Sequence, residues 1–273
     1  MRIERLLVMV LAWMLAAPAA ASERTLTLTF GDSVRRFTAG ALLARPDAAS
    51  LTVPNDLSYR REMTYRAVPL LELIGAATLE GVATLEPRAS DGFVAQIPAE
   101  DVRRAAGGGS IAWVAVEDPA APWPPLPGKD RSGGSFYLVW QHPERSNIGS
   151  EQWPYALVAI AGVADPARRW PQLAVDPALP ATAAERLGQA SFIRNCLPCH
   201  RLNGAGEGDV GPDLGRPMKV MEYMTPAGLR ALVRDPKSVR TWPGQQMPGF
   251  GAEQIPAAEL DALVAFLAHK AHH

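Results

Sequence analysis

Two hydrophobic periods divide the chain. From Thr25 to Phe30 apolar and polar positions alternate strictly, as in a half-buried strand. Phe93, Ala95 and Ile97 alternate likewise after Asp91-Gly92, predicting a strand over 93–97. Continuous apolar runs at Ile111 to Val116, Phe136 to Trp140 and Tyr155 to Ile160 lie between loops rich in Pro and Gly and read as buried strands. Short helices are expected at Pro69 to Ile74 and Ala99 to Ala105. Beyond residue 180 the period becomes helical. Thr182 and Glu185 form a T-x-x-E capping box, opening a helix along which Gly188, Phe192 and Cys196 recur every four residues. Thr225-Pro226 caps a second helix with Leu229, Leu232 and Val233 on its inner face, and Asp235-Pro236 ends it. A last helix is expected from Pro256 to Lys270, with Leu260, Leu263, Val264 and Leu267 at i, i+3, i+4 and i+7. The pattern predicts two domains: mixed α+β over residues 22–174 and all-α over 182–273, joined by a linker at 175–181 that carries two prolines.

Ahead of both domains, Arg2 and Arg5 precede an apolar run from Leu6, and Pro18 followed by Ala19-Ala20-Ala21 supplies small residues before Ser22. This is the pattern of a secretory signal peptide over residues 1–21. The run is broken by Pro18 and falls short of the ~20 residues that a membrane span needs. The expectation is an exported, periplasmic protein with no stable membrane insertion after cleavage. Its 23 Gly and 25 Pro predict abundant loops and argue against a coiled coil, while 48% hydrophobic residues suffice for a sizeable core. With 27 basic and 28 acidic residues, bulk charge attracts neither nucleic acid nor an anionic membrane.

The two cysteines of the chain stand in Cys196-Leu197-Pro198-Cys199-His200. C-x-x-C-H is the signature of covalent c-type haem attachment: two thiols about one helical turn apart reach the two vinyl groups, and the adjacent imidazole faces the iron. Three other uses compete. A zinc site needs about four ligands, and no second cysteine pair exists to complete one. A thioredoxin-like pair is expected in a βαβ context that the flanks lack, and a structural disulfide has no need of His200.

The order G-x-x-x-F-x-x-x-C-x-x-C-H, then Gly211-Pro212-Asp213-Leu214, then Met247-Pro248-Gly249-Phe250, then a terminal amphipathic helix resembles a class I cytochrome c domain over residues 180–270. The resemblance implies one covalent haem c, with Cys196 and Cys199 as the thioether residues, His200 as the proximal ligand and Met247 as the distal ligand. It also implies that the Pro212 carbonyl accepts the His200 Nδ1 proton and that Gly188 and Phe192 sit where the first and last helices cross. Met218, Met221 and Met224 are rivals to Met247. Among the histidines, His142 belongs to the first domain, and His269, His272 and His273 lie at the end of the chain. A His/Met iron is six-coordinate and suits one-electron transfer rather than substrate binding.

In the first domain, Tyr65-Arg-Ala-Val-Pro-Leu70, Asp91-Gly-Phe93, Trp113 to Pro119 and Ser135 to Trp140 are similar to the molybdopterin-binding domain of sulfite-oxidase-type oxidoreductases. That family holds molybdenum through a cysteine thiolate, and this chain has no cysteine outside the haem motif. A molybdenum site of the usual kind is therefore not expected, and no catalytic residue is assigned. Trp123-Pro-Pro-Leu-Pro and Gln152-Trp153-Pro-Tyr155 line either a pocket or a core, and Asp91, Glu117, Asp118 and Glu151 read as turn formers beside Gly or Pro. The resulting expectation is an electron carrier serving a periplasmic donor or acceptor protein. A haem-containing subunit or enzyme of a molybdopterin oxidoreductase system is the alternative, and a haem-based sensor a third possibility. With ten Lys/Arg and nine Asp/Glu over residues 180–273, docking is expected to depend little on net charge.

Overall fold

The computed structural model describes residues 24–272. The expected signal peptide lies outside these residues. The described chain consists of a β-rich N-terminal region with two sheets followed by a helical C-terminal region.

Among the described residues nine strands make the first region: β1 Thr25–Phe30, β2 Ser33–Thr38, β3 Ala49–Asp56, β4 Arg61–Pro69, β5 Thr84–Ala89, β6 Ile97–Pro98, β7 Ile111–Val116, β8 Phe136–Gln141 and β9 Leu157–Val163. One sheet has the order β2-β1-β9-β5-β6 and the other β3-β4-β7-β8. Pairing is antiparallel except between β1 and β9, where Leu28 stands opposite Ile160. The alternation in β1 does what its period requires, burying Leu26, Leu28 and Phe30 on one face. Strands β7 and β8, read as continuous apolar runs, bury nearly every side chain. One apolar core takes side chains from both sheets. Short helices α1 Ala39–Leu43, α2 Leu70–Ile74 and α3 Ala99–Arg103 close its ends.

Four strands, β2 to β5, are not predicted by the hydrophobic pattern. In β2 and β3 charged and hydroxyl side chains occupy the exposed positions, so the apolar alternation is diluted. Conversely, the strand expected over 93–97 shrinks to Ile97–Pro98. Both Val94 and Ala95 are fully buried, which breaks the alternation; Val94 keeps a single bridge to Arg88 of β5, and its N–H donates to the Pro198 carbonyl at 2.9 Å.

After α4 Pro166–Arg169 the chain joins a second apolar core. The expected linker is strapped to it: Val175 is buried, Gln189 Nε2 donates to the Leu173 carbonyl at 2.6 Å, and the Arg186 guanidinium binds the Leu179 carbonyl at 2.7 Å. Helix α5 spans Ala184–Asn195, α6 Val220–Tyr223, α7 Pro226–Arg234, α8 Pro236–Val239 and α9 Ala257–His272. The Thr182 capping box does not form. Ala183 is the N-cap of α5 and no side chain caps it. Thr225 does cap α7, its Oγ1 accepting from Gly228 N at 3.1 Å. Asp235 ends α7 as expected and at once caps α8.

Helices α5 and α9 cross at Gly188. A Cβ there would lie 2.0 Å from the Ala262 carbonyl oxygen, so only glycine allows this approach. Phe192 and Phe266 fill the crossing, their ring centroids 5.6 Å apart. The crossing holds the end of α5, and with it Cys196, in place.

Candidate haem site

Helix α5 ends one residue before the motif, so Cys196 is its C-cap rather than part of its body. The next residues continue in turns: Cys199 N–H and His200 N–H both donate to the Cys196 carbonyl, at 3.1 and 2.8 Å. Both thiols are partly buried and unpaired. Burial pushes the Cys196 thiol up to about 12, with the Glu151 carboxylate adding to it, and pushes Cys199 up for the same reasons. Thiols held protonated are poor redox nucleophiles, which argues against the thioredoxin reading. Among the described residues no group of three or more His, Cys, Asp or Glu is placed to hold a metal ion.

The loop after the motif folds back onto it. Gly211 N–H donates to the Cys199 carbonyl at 2.8 Å, and Leu214 N–H to the Arg201 carbonyl at 2.9 Å. Asp213 organises the turn: Oδ1 accepts from Asn203 N (2.9 Å) and Gly215 N (2.7 Å), and Oδ2 from Gly204 N (2.7 Å). The result places the Pro212 carbonyl 2.8 Å from His200 Nδ1, the contact that the resemblance implied. Gly211 lies against the imidazole, where a Cβ would fall 2.4 Å from Cε1. Burial lowers the His200 pKa, opposed by its bond to Pro212. A neutral imidazole with Nδ1–H engaged leaves Nε2 as the free lone pair, the form an iron ligand needs.

Met247 packs on the apolar cluster that Cys196 also touches. Met221 and Met224 pack on it too, whereas Met218 is 51% exposed. What separates Met247 from these is a cavity of about 330 Å³ that Cys199 lines together with Gln246 and Pro248, the two neighbours of Met247. The segment carrying Met247 therefore borders the same space as the attachment motif. The donor set fits a covalent haem: two free thiols and an oriented neutral imidazole in one motif, with Cys199 lining a cavity that the neighbours of Met247 also line.

The opposite wall of that cavity belongs to the first domain and includes Glu151, Trp153, Tyr155, Arg60 and Lys129. Of the carboxylates read as turn formers, two behave so: Asp91 accepts from Phe93 N and Asp118 from Ala120 N, while Glu117 accepts from Trp123 N six residues on. Glu151 differs. It is 8% exposed, has Ser150 Oγ at 3.0 Å, and is pushed up to about 7 by burial. Trp153 is buried, and its Nε1 has no hydrogen-bond partner among the described residues. Sequence reasoning assigns neither residue a role at the haem motif; Glu151 and Trp153 close together, followed by Pro154, are the available signal.

Among the remaining histidines, His142 sits in the first domain at φ 54°, and His269 lies near the end of α9, where its Nε2 accepts from Asp176 N at 3.4 Å. Among the described residues no helix is long and apolar enough to cross a membrane.

No curated protein matches the chain. Residues 183–267 match the family model described as Cytochrome C oxidase, cbb3-type, subunit III. The match covers under a third of the chain and leaves the first domain outside it. Together with the motif and its geometry, it identifies the helical region as a c-type cytochrome domain, which binds haem and transfers electrons.

Proposed function

We propose that this chain is an exported monohaem c-type cytochrome that carries single electrons between periplasmic redox partners, with Cys196 and Cys199 as the thioether residues and His200 and Met247 as the axial ligands. The observation that carries this reading is the His200 imidazole, oriented by Pro212 beside two free thiols. Bound haem supplies the one-electron iron couple. The chain does the rest. The Pro212 carbonyl holds the Nδ1 proton and so keeps Nε2 available and the ring orientation fixed. Asp213 fixes the loop that presents Pro212, and the α5–α9 crossing fixes the start of the motif. Thioether ligation by methionine would raise the reduction potential and fill the sixth position, leaving none for substrate. The reading implies one haem per chain and no molybdenum, because the thiolate that would hold molybdenum is missing.

The test is the ferrous spectrum of the intact protein together with that of Met247→Ala. Low-spin c-type bands that become high-spin in the variant support His/Met ligation. A variant spectrum unchanged from the parent would assign the sixth position to Met221, Met224 or another residue.

The shared cavity favours a second reading, a haem-containing subunit or enzyme of a molybdopterin oxidoreductase system. Its N-terminal wall combines a buried carboxylate, an indole N–H without a partner among the described residues and two cationic side chains, Arg60 and Lys129. Molybdenum bound stoichiometrically to protein matured in its native host would select this reading.

A further inference from the structure

We infer that the N-terminal domain is a fixed cover over the edge of the haem that Cys196 and Cys199 hold, so that this edge faces the chain's own first domain and outside redox partners are received elsewhere on the haem domain. The inference rests on the haem reading above and concerns what the first domain does to it.

Its first support is a backbone bond inside the motif. Val94 N–H donates at 2.9 Å to the carbonyl of Pro198, which lies between the two cysteines. Asp209 N–H, in the loop after the motif, donates at 3.2 Å to the Gly92 carbonyl. Residues 92–94 thus run along the attachment segment, held on both of its sides. The same stretch is bonded to β5 on its other side, Ala89 N–H donating to the Phe93 carbonyl at 2.8 Å and Ala95 N–H to the Pro87 carbonyl at 2.9 Å.

Side chains extend the clamp to three parts of the haem domain. Glu207, in the loop after the motif, pairs with Arg88 at 3.0 Å and Arg169 at 3.7 Å. Arg194, on the helix before the motif, donates from Nη1 to the Asn147 carbonyl at 3.1 Å, and its own carbonyl accepts from Gln152 Nε2 at 3.4 Å. Gln254, beyond Met247, bonds through its amide to Ser150 Oγ. With contacts before, after and within the motif, a turn of one domain against the other about any axis breaks a set of them.

The cavity shows what the cover places there. Cys199 shares it with Glu151, Trp153 and Tyr155. A haem held at Cys199 would therefore have its attached edge beside these side chains. Excluding water from that edge disfavours the more highly charged ferric state. The cover therefore raises the reduction potential, and it occupies the approach by which another protein would reach the edge.

The test uses the full-length holoprotein. Covalent haem is first established by its retention on the denatured chain; its absence would overturn the haem reading and this inference together. With haem present, the NMR signals of the Val94 amide and the Trp153 indole N–H, assigned with Trp153→Phe, are compared between ferric and ferrous protein. Paramagnetic displacement of both in the ferric state is expected, and coincident signals in the two states would overturn the inference while leaving the haem reading intact. Glu207→Arg, which sets a cation against Arg88 and Arg169 at a half-exposed position, is expected to speed hydrogen exchange of the Val94 amide several-fold and to lower the midpoint potential, with Glu207→Gln in between. Faster exchange with an unchanged potential would remove the cover's effect on the haem. Unchanged exchange would show that these contacts do not hold it closed.

Discussion

The two halves of this molecule solve opposite problems with the same chemistry of burial. The first closes its core on itself. Within it Asp56 is 1% exposed and accepts hydrogen bonds from the Tyr65 and Tyr137 hydroxyls (2.8 and 3.2 Å) and from Ser58 N and Tyr59 N (2.9 and 2.7 Å). Around it Tyr65, Trp123, Tyr137, Trp153 and Tyr155 pack with centroids 5.0 to 6.5 Å apart. The second half instead folds around a place for something else. Its thiols and imidazole are partly buried, and the carbonyl that orients the imidazole comes from a loop rather than from a sheet. A domain whose stability comes from its own packing needs no cofactor to be complete, whereas one that leaves ligands unpaired is finished by its ligand.

The largest effect expected from this contrast follows loss of the carboxylate that the first core is built on. Asp56→Ala strands the Tyr65 hydroxyl and the Ser58 and Tyr59 amides at once and leaves Tyr137 with Ser58 Oγ alone, for a cost on the order of 4 kcal/mol. Calorimetry should show the loss in the N-terminal domain while haem absorbance persists to higher temperature; simultaneous loss of both would mean that the halves unfold as one unit. Gly188→Ala works in the opposite half. Its Cβ would meet the Ala262 carbonyl at 2.0 Å and Phe266 Cβ at 2.7 Å, parting α5 from α9. A destabilisation of about 3 kcal/mol is expected, measured by denaturant unfolding followed at the haem.

Glu151 stands where the halves meet, and its contribution depends on pH. Burial raises its carboxyl from 4.5 to about 7 in the folded state, so the folded chain holds the proton more tightly than the unfolded one. The contribution is fully present below about pH 4.5 and is lost as pH rises through 7, a difference of about 3 kcal/mol. Glu151→Gln should flatten that slope in unfolding titrations at a series of pH values. An unchanged slope would assign the pH dependence to another group.

Smaller effects belong to the loop that orients the ligand. Asp213→Ala removes three backbone partners and is expected to cost about 1–2 kcal/mol. With Pro212 less firmly held, the imidazole is less basic and the midpoint potential rises, a change that voltammetry resolves. Least of all should ionic strength matter. Ten basic against nine acidic residues over 180–273 predict electron exchange with a partner that changes little with salt, and a steep decline in rate would reveal a charged patch.

The same contrast governs which parts of the molecule are legible along the chain. The chemistry of Cys196, Cys199 and His200 lies in five consecutive positions, and the Gly188–Phe192 spacing and the Leu260 to Leu267 stripe are local helical periods, so the haem domain is readable residue by residue. So are β1, β7 and β8, whose burial follows a simple alternation or an apolar run. Strands β2 to β5 are not. Charged and hydroxyl residues fill most of the exposed positions of β2 to β4, among them Arg61, Glu62 and Arg66 of β4, and β5 pairs with β9, distant in sequence. The Thr182 cap fails because the preceding segment is held by Arg186 to the carbonyls of Leu179 and Pro180, which shifts the helix start by one residue. The wall made by Glu151 and Trp153 is hidden for a stronger reason. It acquires meaning from Cys199, almost fifty positions away, and no local pattern records that distance.

The most direct measurement of the central claim is the metal content of the full-length protein matured with its native cofactor supply, before and after denaturation and acid extraction. One iron per chain that stays with the denatured polypeptide, with no molybdenum, is the predicted result. Iron that leaves on extraction, or molybdenum bound one per chain, would contradict it.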